Sequence, residues 1–166
     1  MYPTPEVSPI LRAIAVVLMS LTTFGLSMSF ADPTDESLTE NQPDLDYAAG
    51  KEAIDAKEWR AAIDFLGRAA LRDNRNADIQ NYLGYAYRNA GQLAQAFEHY
   101  RKALSLNPRH RGAHEYIGEA YLIVNNPTKA AEHLAVLEKI CLLPCEEYED
   151  LKAKLEAYRA KRSEQR

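Results

Sequence analysis

Cys141 and Cys145 are the only cysteines of the chain and stand four residues apart. That separation lets a disulfide close if the chain turns between them, and it differs from the Cys-x-x-Cys spacing of redox motifs. Pro144 supplies such a turn. A disulfide staple is therefore the favoured reading; a reduced structural pair and a thiol-redox or metal-handling role are the alternatives. His110 and His114 have a spacing that can chelate zinc on one helix face. Here they straddle an expected helix start, Pro108-Arg109-His110-Arg111, whose cations repel a metal. His114 occupies a slot expected to pack against the adjacent helix, while His99 and His133 are isolated and expected at the surface. The paired acids Glu146-Glu147 open a helical stretch, where the helix dipole is sufficient reason for them. The chain has no Gly-x-Ser-x-Gly, no phosphate-cradling glycine loop and no His-Glu-x-x-His, so it reads as a non-enzyme without catalytic residues, cofactor or metal.

The elements that position these residues begin after a distinct leader. Arg12 precedes an apolar stretch from Ala13 to Leu26, and Ser29-Phe30-Ala31 offers small residues where a signal peptidase inspects the chain. Residues 1–31 are expected to be a signal peptide cleaved after Ala31; an uncleaved N-terminal membrane anchor is the alternative. Either puts the remainder outside the cytoplasm, in the periplasm or secreted, where two close cysteines favour a disulfide. Residues 32–43 are acidic and rich in Pro, Ser, Thr and Asn, the composition of a disordered linker. The full chain has 166 residues and a net charge of −4. It suffices for one domain and lacks the basic excess that nucleic-acid binding requires.

From Leu45 the apolar residues recur at three- and four-residue steps. Gly50, Gly84 and Gly118 are evenly spaced in matching frames: Ala49-Gly50, Leu83-Gly84 and Ile117-Gly118 on a first helix, with Ala53, Tyr87 and Tyr121 one turn on. Ala62, Ala96 and Ala130 open a second helix, followed by Leu66, Tyr100 and Leu134. Asn74, Pro108 and Leu142 close each unit. Gly and Ala allow close helix approach, and the larger residues are expected to fill the seam between neighbouring hairpins. Asn76 is read as an N-cap, Gly91 as a left-handed terminator, Asn107-Pro108 as a stop, and Pro127 as a first-turn proline. After Pro144 a seventh helix carries Tyr148, Leu151, Leu155 and Tyr158 on one stripe and should cap the last hairpin.

This frame resembles the tetratricopeptide repeat family over about residues 43 to 144. The middle copy, Leu83-Gly84 to Pro108, matches most fully; the first lacks the aromatic at Ala53 and the proline at Asn74. The resemblance implies an all-α, helical-hairpin solenoid of three repeats plus a C-terminal capping helix over residues 44–162, with a tail at 163–166. It also implies a concave groove lined by the first helix of each pair. The groove slots hold Asp44, Tyr47, Lys51, Ile54 and Asp55; then Asp78, Asn81, Tyr85, Arg88 and Asn89; then Gly112, Glu115, Glu119, Leu122 and Ile123. Tyr85 and Arg88, central on the middle first helix, are expected to dominate binding and to be dispensable for folding. Lys51, Asn81 and Arg88 superficially resemble the residues with which relatives grip a carboxylate tail, but Glu115 and Glu119 stand where further positive charge would be needed. The expected function is a periplasmic adaptor that binds a protein or peptide partner, without stable membrane insertion once the leader is removed. The thiol-redox or metal-handling accessory is the rival, and homo-oligomerisation through an exposed repeat end is a second.

Overall fold

A computed structural model describes residues 44–143 and 145–165. The expected signal peptide and linker (1–43) and Pro144 lie outside the described residues. Among those described, seven helices follow one another: α1 (Leu45–Asp55), α2 (Trp59–Arg72), α3 (Ala77–Asn89), α4 (Leu93–Leu106), α5 (Arg111–Ile123), α6 (Pro127–Ile140) and α7 (Glu146–Glu164). The first six agree with the periodicity to within two residues, and α7 runs on through residues assigned to the tail.

Local chemistry sets the boundaries. Asp44 accepts from the Asp46 and Tyr47 amides, Asn76 from those of Asp78 and Ile79, and Asn126 from that of Lys129, each satisfying orphan donors at a helix start. Asn107, extended by the proline after it, ends α4. The turns inside the three hairpins are equivalent. Lys57, Gly91 and Asn125 all have left-handed φ, at 59°, 79° and 58°. After each, the next amide reaches back to a helix carbonyl at 2.8 Å: Glu58 to Ala53, Gln92 to Tyr87, Asn126 to Tyr121. This six-to-one closure selects the left-handed residue before it. Gly91, and more weakly Asn125, signal it in the sequence, whereas Lys57 does not.

Three-residue connections return each second helix antiparallel to its first. Ala62, Ala96 and Ala130 are fully buried at the close approach. The glycines add a contact that the register did not specify. A Cβ on Gly50 would lie 2.6 Å from Leu66 Cγ, and one on Gly84 would lie 2.5 Å from Tyr100 Cδ1. Leu66 and Tyr100 thus fill the inside of their own hairpin and, as expected, the seam to the next, where Leu66 clusters with Ile79, Leu83 and Ala86 and Tyr100 with Ile117 and Ala120. In the third copy the nearest group is Leu151 of α7, 2.6 Å from the same construction on Gly118, and not Leu134. The cap therefore completes the last glycine's packing. Leu151 and Leu155 are buried on α7.

Candidate functional site

The first helices α1, α3 and α5 touch one another across hairpins, whereas α2, α4 and α6 do not. The stack therefore curves with the first helices on its inner face. Two aromatic–cation groups lie along that face. Tyr47 and Tyr82 have ring centroids 6.0 Å apart, with Lys51 Nζ 5.7 and 5.9 Å from them. Tyr85 lies 6.1 Å from Trp59 and 4.8 Å from Tyr116, with the Arg88 guanidinium 5.1 and 5.4 Å from the two tyrosine rings. Tyr82 and Tyr116 escaped the sequence reading although they occupy equivalent slots of adjacent copies. Lys51 and Asn89 are exposed; Tyr47, Ile54, Tyr85 and Leu122 are half-buried. Asn89 donates to the Tyr85 carbonyl at 2.8 Å, and Ile54 packs on the first hairpin's core.

Arg88 corrects the expectation that it stands apart from folding. Its side chain is 9% exposed and donates to Glu119, which also receives Lys154 of α7. Glu119 thus ties the middle repeat, the last repeat and the cap together. Glu115 and Asn81 are likewise interior, 6% and 4% exposed. Burial, then the neighbouring Glu119 charge, pushes the Glu115 carboxyl up to about 8.

The histidines are also placed differently. His110 caps α5, accepting from the Ala113 amide through Nδ1 at 3.1 Å and donating from Nε2 to Asp78 at 2.9 Å. His114 is buried; its Nε2 donates to the Pro108 carbonyl at 3.0 Å, which leaves its Nδ1 to accept from His133 Nδ1 at 2.9 Å. His133 is therefore no isolated surface residue. Neither is His99, which bonds buried Gln80 at 2.8 Å and stacks on Tyr87. The sequence reading missed both because each pairing joins two helices of one hairpin. Cys141 and Cys145 are joined, with an S–S distance of 2.07 Å and Cα atoms 5.9 Å apart. The bridge ties the end of α6 to the start of α7. Among the described residues no three His, Cys, Asp or Glu converge to hold a metal ion, and no helix is long and apolar enough to cross a membrane.

Where α3, α5 and the start of α7 meet, a cleft of about 300 Å³ is lined by Asp78, Asn81, Tyr82, His110, Gly112, Glu115, Tyr116, Glu146, Glu147 and Asp150. On its α3 and α5 side Asp78, Asn81, Gly112 and Glu115 are slots assigned to the groove, whereas Tyr82, His110 and Tyr116 are not; its carboxylates on α7 were not foreseen, since they come from the cap.

A family model for the tetratricopeptide repeat matches residues 77–110, from the start of α3 to the cap of α5. The chain carries a tetratricopeptide repeat. With the hairpins before and after it in the same register, the fold is an all-α tetratricopeptide-type solenoid. Solved structures agree on that fold. The type III secretion translocator chaperone SycD of Yersinia enterocolitica is 16% identical, with a TM-score of 0.64 over 71% of this chain and 83% of that one. SycD in complex with a peptide of the translocator YopD gives 15% identity and 0.61 over 70% and 92%. The tetratricopeptide repeat domain of Sgt2 from Aspergillus fumigatus gives 23% and 0.64 over 73% and 79%. No curated protein matches the chain.

Proposed function

We propose that this protein is a non-enzymatic adaptor of the periplasm that holds an extended segment of a partner protein against the inner face of its solenoid. The observation that carries the reading is the run of partly exposed aromatic and cationic groups on the first helices, from Tyr47 and Lys51 to Tyr85 and Tyr116. Aromatic rings with cations above them offer large contact area at little entropic cost, the composition of binding surfaces. The same fold holds a peptide in the SycD complex, which supports the use of the solenoid for this purpose. The apolar run after Arg12, the Ser29-Phe30-Ala31 site and the paired cysteines support the compartment.

The test uses exposed positions, so that binding is separated from folding. Lys51→Glu with Asn89→Arg should keep the parent's melting temperature and lower the affinity for proteins captured from an envelope extract by tenfold or more. Undiminished capture by the folded variant would remove the inner face from the reading. Cell fractionation with intact-mass measurement tests the compartment: the expected product begins at Asp32 in the periplasmic fraction, and a full-length membrane-bound chain would overturn it.

A further inference from the structure

The cleft between α3, α5 and α7 has a chemistry of its own. Five carboxyl groups line it, from Asp78, Glu115, Glu146, Glu147 and Asp150, and its lining holds no lysine or arginine. Of the nearby cations, Lys154 lies on Glu119 and Arg111 Nε answers Glu147 of the lining at 3.5 Å. Asp78 has His110, while Glu146 and Asp150 have no ion pair among the described residues. A second observation comes from Asn81. It lines the same cleft, is 4% exposed, and its Oδ1 is buried without a hydrogen-bond partner. An orphaned buried acceptor costs about 1–3 kcal/mol, and such costs concentrate where a ligand supplies the missing group. The carboxylates are strung along the cleft and do not converge as a metal site would. They suit an elongated cation that brings several N–H donors.

We propose that this cleft seats the guanidinium or ammonium end of an arginine or lysine on the partner peptide, with Asp78, Glu146 and Asp150 around the charge and the Asn81 amide turning to bring its buried Oδ1 to an N–H. The inference rests on the peptide-binding reading of the inner face and names the residue type that this face selects. Arginine fits better than lysine, since its planar fork offers five donors in fixed directions. Burial of the cation between carboxylates and the Tyr82 and Tyr116 rings adds attraction to the aromatic faces.

The experiment selects a random dodecapeptide phage library on the full chain, then measures synthetic versions of the enriched peptides by fluorescence anisotropy. Enriched peptides should carry Arg or Lys, and Arg→Gln in the peptide should weaken binding tenfold or more. Glu146→Gln with Asp150→Asn should weaken it by a similar factor. Asp64→Asn with Glu98→Gln, which removes as much charge from exposed sites on α2 and α4, should change it less than twofold. Asn81→Ala should lower affinity while leaving the melting temperature equal or higher, because the orphaned acceptor is gone; a structural asparagine would lower it. Equal losses in the two charge variants would reduce the effect to net charge and overturn the proposal. Peptides without basic residues, or indifferent to Glu146 and Asp150, would also overturn it. If those peptides still depend on Lys51 and Asn89, the inner-face reading survives alone; if they depend on neither pair, both readings fall.

Discussion

Gly84→Ala and Gly67→Ala make the same chemical change on two helices with opposite expected results. Replacing glycine by alanine inside a helix stabilises it by about 0.5–1 kcal/mol through backbone entropy. At Gly67 on α2 the new methyl meets nothing within 4 Å, so that gain stands alone. At Gly84 the methyl would lie 2.5 and 2.6 Å from Tyr100 Cδ1 and Cε1, about 1 Å inside the ordinary contact distance of carbon atoms. Tyr100 is fully buried and cannot swing into solvent. Relief requires the two helices of the hairpin to part, an overpacking cost of roughly 1–3 kcal/mol, here at its upper end. After the propensity gain, Gly84→Ala should lose about 2 kcal/mol, and the two variants should differ by about 3 kcal/mol. Thermal melting and urea titration of both against the parent measure this. A domain of this size should show Gly67→Ala a few degrees above the parent and Gly84→Ala clearly below it. Gly84→Trp should not fold. A Gly84→Ala variant as stable as Gly67→Ala would show that Tyr100 does not pack on Gly84, and the within-hairpin seam would fall with it.

Three further outcomes are expected. Arg88→Ala should cost about 3 kcal/mol, since it takes the buried partner from Glu119 and leaves Lys154 alone to answer the charge; melting within a degree of the parent would refute that role. Replacing Cys141 and Cys145 with serine should lower stability by about 2 kcal/mol, the loop-closure value for so short a ring, and leave partner capture unchanged; thiol turnover or stoichiometric metal in the parent would instead favour the redox or metal rival. Burial, then the neighbouring His114, holds His133 down at about 4, facing His114, Lys129 and Glu132, with Tyr121 stacked on it. A depressed folded value means stability present above the unfolded histidine value of about 6.5 and lost as pH falls toward 4, so His133 by itself should withdraw about 1–2 kcal/mol from pH 7 to 5, while Glu115, held up at about 8, adds stability over the same interval. The stability difference between the parent and His133→Asn isolates the histidine and should shift by that amount, and a difference constant with pH would refute the assignment.

How much of this was legible in the sequence follows from the range over which each feature is specified. The hairpins are specified locally: the Gly84, Ala96 and Tyr100 frame, the Asn76 cap and the Asn107-Pro108 stop each act within one repeat. Their recurrence multiplies the signal. Lys57 and Asn125 show where local reading ends. Neither residue favours left-handed backbone as glycine does, yet both adopt it because the Glu58 and Asn126 amides close the same hydrogen-bonded turn that Gly91 permits. At Lys57, whose type gives no such preference, position within the repeat sets that angle; at Asn125 the residue type assists.

The inner face was legible as a set of slots but not as a surface, because the cap rewrites it. Glu119 sits in a groove slot by register, and only a lysine thirty-five residues later on α7 makes it an interior group with Arg88. The same helix start contributes Glu146, Glu147 and Asp150 to the cleft. The helix dipole explains why acidic residues occur there in the sequence; only the docking of α7 beside α5 explains where their charge points. The result is an inner face with unlike ends, Lys51 of α1 between two tyrosines and, at α7, Glu146 and Asp150, which have no ion pair among the described residues. A peptide lying along it with a basic residue at the α7 end meets complementary charge, while the reversed peptide brings its cation to Lys51. Like charges brought together oppose that register more strongly than weak surface pairs support the right one. On the proposed reading, the capping helix therefore sets the direction of the partner chain. Lys51→Glu should test this on its own: a bound peptide with a single terminal arginine should lose its directional preference, read by swapping a fluorophore between its two ends against a quencher on a Glu52→Cys variant, an exposed α1 position outside the groove slots.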